Sequence, residues 1–277
     1  MQSDYGAVYS RLYREHWWWR SREAILLEQL RGLGLREGEP REILDVGCGD
    51  ALSFRALGRF GRVRGIEVDE GLLDPEGPDR ARISTRPLGD PMYADPSWRF
   101  DLITALDVLE HIDDDRAAAS AMVGMLRPGG VLVVSVPAFE LLWDEHDEIN
   151  HHKRRYTAGR LRTLLSGLGL EDLRVRYLFR GLFAPKLAVR LINSARGGDR
   201  KVAQHGIPGP AINAAMRRLC EIEDRLLRRV PVPFGTSVLA SGRLDGGGEG
   251  ISRRVAGAQR GDGEERRGEE RRQRGER

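Results

Sequence analysis

Apolar and polar positions along this chain switch between two periods. Short apolar strand segments stand at Arg41 to Val46, Arg62 to Val68 and Phe100 to Ala105, with a weaker one at Ala81 to Thr85. Val131 to Val136 is a continuous β-branched run, which fits a strand buried on both faces. Stretches of helical period separate them, such as Asp114 to Leu126, which Arg127-Pro128-Gly129-Gly130 stops. Strand-helix-strand alternation at this spacing predicts parallel βαβ units and a doubly wound α/β sheet. The chain continues with a helix at Ala158 to Leu168, a strand at Leu173 to Phe179, two apolar-rich helices at Leu182 to Ala195 and Pro210 to Arg229, and a last strand at Thr236 to Leu244. The expected architecture is a mostly parallel seven-stranded sheet with an antiparallel edge strand. It spans residues 41–244, with a helical insertion at about 180–230 and a helical lid or cap at 1–40.

Residues 245–277 break the pattern. They hold nine glycines, nine arginines and eight acids, and Ile251, Val255, Ala256 and Ala258 are the apolar side chains. Such a segment buries too little surface to offset its ordering entropy, so a disordered tail is expected. Its opposite charges nearly cancel, which favours a solvated extension over a nucleic-acid arm. The whole chain of 277 residues carries a formal net charge of +3, so charge implies no nucleic-acid partner. Two cysteines, Cys48 and Cys220, make no disulfide framework and point to a reducing compartment. No apolar run reaches the roughly 18 residues of a spanning helix. With no charged-then-apolar leader at Met1, the expectation is a cytoplasmic protein.

Ligands of such sheets bind beyond the carboxyl ends of the strands. The first strand ends Asp45-Val46-Gly47-Cys48-Gly49-Asp50-Ala51, and Glu67 ends the second, 20 residues after Gly47. Two glycines let the turn approach a ligand, and the acid can accept both hydroxyls of a ribose. A dinucleotide would want a third glycine where Leu52 stands, since a large side chain keeps pyrophosphate from the helix start. S-adenosylmethionine has no pyrophosphate and needs only the glycines and the acid. The plain alternative is an ordinary tight βα turn.

The segments ILDVGCGDA, GIEVD, FDLITALDVLEHI and LRPGGVLVVSVP resemble the ordered motifs of class I S-adenosylmethionine-dependent methyltransferases. The resemblance covers about residues 41–137 and implies a Rossmann-like methyltransferase fold with S-adenosyl-L-methionine as cofactor. By that resemblance Asp45, Gly47, Cys48 and Gly49 line the methionine and ribose end, and Glu67 holds the ribose. Asp90 is similar to the family's adenine-side acid, and Asp107 lies where the family meets the ammonium or sulfonium side.

Asp107, Glu110 and His111 would share one face if their segment is helical, and three such ligands can hold a divalent ion. The spacing is similar to that of quinone-pathway O-methyltransferases, some of which use a metal. The simpler reading, in which Glu110 and His111 brace a helix, assigns no metal. His151 and His152 lack the cysteine pair that would argue for zinc.

After the fifth strand comes Leu142-Trp143, then His146-Asp147, then His152-Lys153-Arg154-Arg155-Tyr156. This resembles a bacterial class I subgroup with an LWxxHD then HxRRY pattern and no settled substrate. Histidine suits proton removal near neutral pH, so His152, His146 and His111 are the candidate bases, in that order. Arg154, Arg155, Tyr156 and Trp18 are candidate acceptor contacts, since arginine pairs bind anions in bidentate fashion. The alternative is a loop in which Asp147 and Arg155 pair for structure. Trp17, Trp18 and Trp19 diverge around a helix, so at least one must meet a second surface. The subgroup also shows an aromatic run followed by R-x-R near its start.

The function expected is methyl transfer to a small-molecule or lipid-linked acceptor, with metal-assisted methylation of a quinone or catechol as its alternative. A nucleoside-binding scaffold without catalysis is the rival of another class. Residues 182–195, apolar with Lys186 and Arg190, present a basic amphipathic surface for peripheral membrane contact, a dimer face or core packing. No oligomeric state follows from these patterns.

Overall fold

The computed structural model describes residues 10–195 and 206–246. The tail expected from residue 245 lies outside the described residues except for its first two, as does the start of the 1–40 segment. The strands are β1 (Glu42–Val46), β2 (Arg62–Ile66), β3 (Ile83–Ser84), β4 (Phe100–Leu106), β5 (Leu126–Pro137), β6 (Leu170–Leu178) and β7 (Ser237–Leu244). They form one seven-stranded sheet in the order β3-β2-β1-β4-β5-β7-β6. The first five run parallel. Antiparallel pairing begins at the expected edge: β7 runs reversed between β5 and the outermost strand β6. Leu44, Ile103 and Val133 on the central strands are fully buried, and in β5 this is why Val131 to Val136 reads as an unbroken run. β5 starts at Leu126, before the Pro-Gly-Gly read as a stop, because a register break opposite Phe100 and Leu102 absorbs those residues into the strand.

The helices are α1 (Trp17–Gly32), α2 (Phe54–Leu57), α3 (Asp115–Gly124), α4 (Glu145–Ile149), α5 (Ala158–Leu165), α6 (Phe183–Ala195) and α7 (Pro210–Leu227). None of the described helices is long and apolar enough to cross a membrane. α1 buries Ser21, Ile25, Leu26 and Leu30 on one side, a helical spacing that carries it into the main core with Leu57 and Phe60. It also meets α7 from the insertion. Asn213 accepts from the Trp17 amide at 2.8 Å and donates to the Glu15 carbonyl at 2.7 Å, serving two backbone groups at the helix start.

Strained backbone gathers at one end of the sheet. Ala51, Asp107, Phe139 and Phe179 have φ of 57°, 58°, 56° and 52°, and each lies just past the carboxyl end of β1, β4, β5 or β6. Non-glycine residues rarely adopt this region, and such strain collects where ligands bind.

Asn213→Ala should loosen the seam between α1 and α7. The expected loss is about 1–2 kcal/mol in urea denaturation, with the fold retained.

Candidate active site

β1 lies between β2 and β4, and its connections and those of β4 leave toward opposite sides. A crevice therefore opens beyond the carboxyl ends of β1 and β4. The turn after β1 lines it. Gly47 and Gly49 have φ of +67° and +52°, and a Cβ on Gly47 would stand 2.5 Å from Val108 Cγ2. Glycine is thus required at 47 both for its backbone conformation and for the close approach of the segment after β4. Glu67 reaches back from the end of β2. Its Oε2 accepts from the Gly49 amide and its Oε1 from the Asp69 amide, both at 3.0 Å. Each oxygen retains lone-pair capacity for a hydroxyl. Burial pushes the Glu67 carboxyl up, partly countered by those two amides.

Asp45 sits beneath the turn. It accepts from Ser53 Oγ and from Thr104 Oγ1, the latter at 2.5 Å, and burial raises its carboxyl to about 6 against those bonds. With both oxygens engaged below the glycines, it ties β1 to β4 and supports the turn. The Cys48 thiol also points inward, against Gly65 and Phe54. Burial pushes its pKa up, and the side chain packs in the core, which leaves the backbone of Cys48 for the donor contact expected of it.

Asp107 begins no helix. Its φ is positive, and a short 3-10 turn over Leu109–His111 follows, so the expected helical face shared by Asp107, Glu110 and His111 does not form. Asp107 instead pairs with Arg22 from α1, Oδ2 to Nη1 at 2.7 Å. Arg22 stacks its guanidinium on Trp18 and Trp19 at 5.3 and 5.2 Å, and Trp18 lies 6.0 Å from Phe179 at the end of β6. The three tryptophans are half-buried, and Trp19 finds its second surface on Tyr13 at 5.8 Å. Arg22 Nε is buried without a partner. Sequence reading noted the R-x-R but gave Arg22 no role. The signal was its spacing of three and four residues from Trp19 and Trp18, which places all three together on a helix.

Asp90 follows β3 and borders a cavity of about 250 Å³ whose other walls include Arg99, Gly124 and Met125. The Asp90 carboxylate caps a turn through the Met92 amide at 2.8 Å and pairs with Arg86 at 3.1 Å, contacts that hold its pKa down.

The loop after β5 is held by one buried carboxylate. Asp147 accepts from Arg155 Nε and Nη2 at 2.9 and 2.7 Å, from His152 Nδ1 at 2.7 Å and from the Asp144 amide at 2.8 Å. Burial alone would raise its pKa, but the bonds from His152 and Arg155 and the arginine charge hold it far below the usual range. Arg155 is buried and also donates to the Ala138 carbonyl at 3.1 Å. Arg154 pairs with Asp115 at 3.0 Å, and the buried Tyr156 hydroxyl lies 2.7 Å from the same carboxylate. The expected acceptor contacts at Arg154, Arg155 and Tyr156 are therefore corrected: these side chains are engaged in fixing the loop to the sheet.

The three candidate bases do come together. The rings of His111 and His152 are 4.7 Å apart and those of His146 and His152 6.2 Å. Asp147 orients the His152 ring through the contact at Nδ1. Burial and the neighbouring His152 lower the pKa of His111. Beside them is Glu110, fully buried, with neither oxygen hydrogen-bonded among the described residues. Burial first, and Asp107 second, raise its carboxyl well above the ordinary value. Ligand atoms of Glu110, His111 and His152 lie within 4.8 Å of one another, a set able to hold a divalent ion. Sequence reading missed this grouping because His152 arrives from a distant loop.

Asp147→Asn should destabilise the protein by about 3–5 kcal/mol at pH 7, since it leaves Arg155 buried and uncompensated. The Asp147 pKa is depressed, so its stabilisation is complete at neutral pH and is lost as pH falls below about 4, the ordinary carboxylate range. Urea denaturation at neutral and acid pH should show the gap between variant and parent closing in acid.

The profile of a family described as "Methyltransferase domain" matches residues 18–175. A ubiquinone biosynthesis O-methyltransferase of Coxiella burnetii is 30% identical over 100 residues, covering 34% of this chain and 43% of the relative. An uncharacterised methyltransferase of Mycobacterium bovis is 37% identical over 98 residues, covering 33% and 48%. The chain thus spans less than half the length of these relatives. Among solved structures, an S-adenosylmethionine-dependent methyltransferase from Clostridium acetobutylicum superposes with TM-score 0.51 at 13% identity, covering 88% of this chain and 99% of that one. Together with the strand order and the glycine turn, the profile match over more than half its length shows that this chain belongs to the methyltransferase-domain family, on the fold of the class I S-adenosylmethionine-dependent enzymes.

Proposed function

We propose that this protein transfers a methyl group from S-adenosylmethionine to a small-molecule or lipid-linked acceptor. The observation that carries the reading is the carboxylate of Glu67 anchored to the Gly49 amide at the mouth of the crevice. An acid fixed there suits the two hydroxyls of a ribose, with the open backbone at Gly47 beside it. Asp107 and Arg22 add a carboxylate and a guanidinium side by side, complementary to the ammonium and carboxylate of an amino-acid tail. These residues fit the donor, which when bound supplies an activated sulfonium methyl. The protein's task is then positioning, with proton removal from the acceptor where its pKa requires it. His152 Nε2 is the base we favour, its ring held by Asp147 and Asp147 in turn by Arg155.

One observation favours a second reading. The unpartnered oxygens of Glu110 beside His111 and His152 match a divalent-cation site, and a cation there would acidify a phenol or catechol hydroxyl. The ubiquinone-pathway similarity supports this version, in which the acceptor is a quinone or catechol type.

Gly47→Val should abolish donor binding in titration calorimetry; normal binding heat would contradict the assignment of the turn. His152→Ala should keep donor affinity and slow transfer of labelled methyl to cell-extract metabolites by roughly 100-fold. Unchanged turnover would remove His152 as base. In the metal version, chelation suppresses transfer and added divalent cation restores it.

A further inference from the structure

α6 and α7 turn unusual faces to solvent. On α6, Ala184, Pro185, Ala188, Val189, Leu191 and Ile192 are exposed, and no charged residue stands among them. The last three are between 48 and 58% exposed. On α7 a second apolar stripe runs through Ile212, Leu219, Ile222 and Leu226, between 52 and 70% exposed. The spacing of seven, three and four residues keeps these side chains within one narrow sector of the helix. Scattered exposed leucines need no explanation, but two continuous stripes do.

Among the described residues, the charged side chains left without a partner beside the α7 stripe are arginines. Arg218, Arg225 and Arg229 are exposed along its flank and make no ion pair among the described residues. The acids of α7 are committed elsewhere. Glu221 pairs with Arg217, Asp224 is buried against Arg176 and Arg228, and Glu223 accepts the amides of Arg180 and Gly181 at 2.7 and 2.6 Å. A second copy seated on this stripe would bring the same arginines and no free acid, so the patch is not self-complementary in charge. An anionic bilayer supplies both an apolar boundary for the stripes and negative headgroups for the arginines.

The two helices are tied to each other and to the crevice. Phe183 at the head of α6 lies 5.5 Å from Phe234 after α7. Glu223 of α7 holds the backbone just before α6, where Phe179 meets Trp18. The stripes therefore begin beside the aromatic wall of the candidate active site.

We infer that the outer faces of α6 and α7 form an interfacial docking surface for an anionic lipid bilayer. This extends to α7 the contact expected for residues 182–195. It rests on the proposed methyl transfer only in suggesting that the acceptor arrives from the membrane; the docking itself stands apart from activity.

The test is flotation of the full-length protein with vesicles of phosphatidylcholine alone or of equimolar phosphatidylcholine and phosphatidylglycerol. The protein should float with the anionic vesicles, remain at the bottom with the neutral ones, and detach in high salt. Leu219→Asp with Leu226→Asp should cut the bound fraction about tenfold. The surface triple Arg218→Ser, Arg225→Ser, Arg229→Ser should do the same while keeping donor binding and the melting temperature. Failure of the parent protein to float would overturn the inference, as would undiminished flotation of both variants, which would move binding to another part of the chain. A dimer in sedimentation equilibrium that the Leu219/Leu226 variant dissociates would assign the surface to a second copy instead. Because donor binding is read separately, failure of the parent protein to float while it still binds the donor rejects the docking surface and leaves the methyltransferase reading in place.

Discussion

Two adjacent parallel strands whose chains depart in opposite directions cannot be covered at their carboxyl ends by their own connections. Here those strands are β1 and β4, and the gap beyond them sets the position of everything else. The backbone after β1 must bend sharply beside Val108, which excludes a side chain at Gly47. The buried carboxylate of Asp45 fastens the two strands just below that point, through Ser53 and Thr104. Ala51, Asp107, Phe139 and Phe179 hold costly backbone conformations at the same end of the sheet, while the apolar strands behind them supply the packing that tolerates such strain.

Over this gap the protein places two covers with different physics. The first is α1, an amphipathic helix whose lower side belongs to the core and whose start carries Trp18, Trp19 and Arg22 toward Asp107. The second is the loop after β5, too polar to be held by apolar packing alone. It is secured by Asp147, which gathers four hydrogen bonds and is completely buried. Ion pairs of this kind contribute more to a fixed geometry than to net stability. What they fix is His152, and with it the relation of three imidazoles to Glu110. Glu110 and Arg22 Nε are the unsatisfied buried groups of this site among the described residues, and an unpartnered buried acid is costly.

Much of this was legible in the residues. Short apolar segments marked the central strands, unbroken in β5 where both faces are covered, and the boundaries of α6, α7 and β7 followed closely from period and turn residues. Errors arose where local pattern and long-range pairing disagree. The Pro-Gly-Gly after Arg127 reads as an end, yet β4 pairs across it and β5 begins earlier. Asp107 to His111 has helical spacing, but the tight exit from β4 permits only a 3-10 turn.

The sequence by itself determined the sheet, the glycine turn, the acid at the tip of β2 and the polar loop rich in histidine, because each is written in neighbouring residues through period, composition or backbone freedom. Tertiary structure alone decided which of the charged side chains are free to meet a ligand. Arg155 and Arg22 look equally available in the chain; one is locked into Asp147 and the other reaches the crevice beside Asp107. Such pairings join residues from separate elements. Their energies depend on burial and distance, which no local pattern encodes.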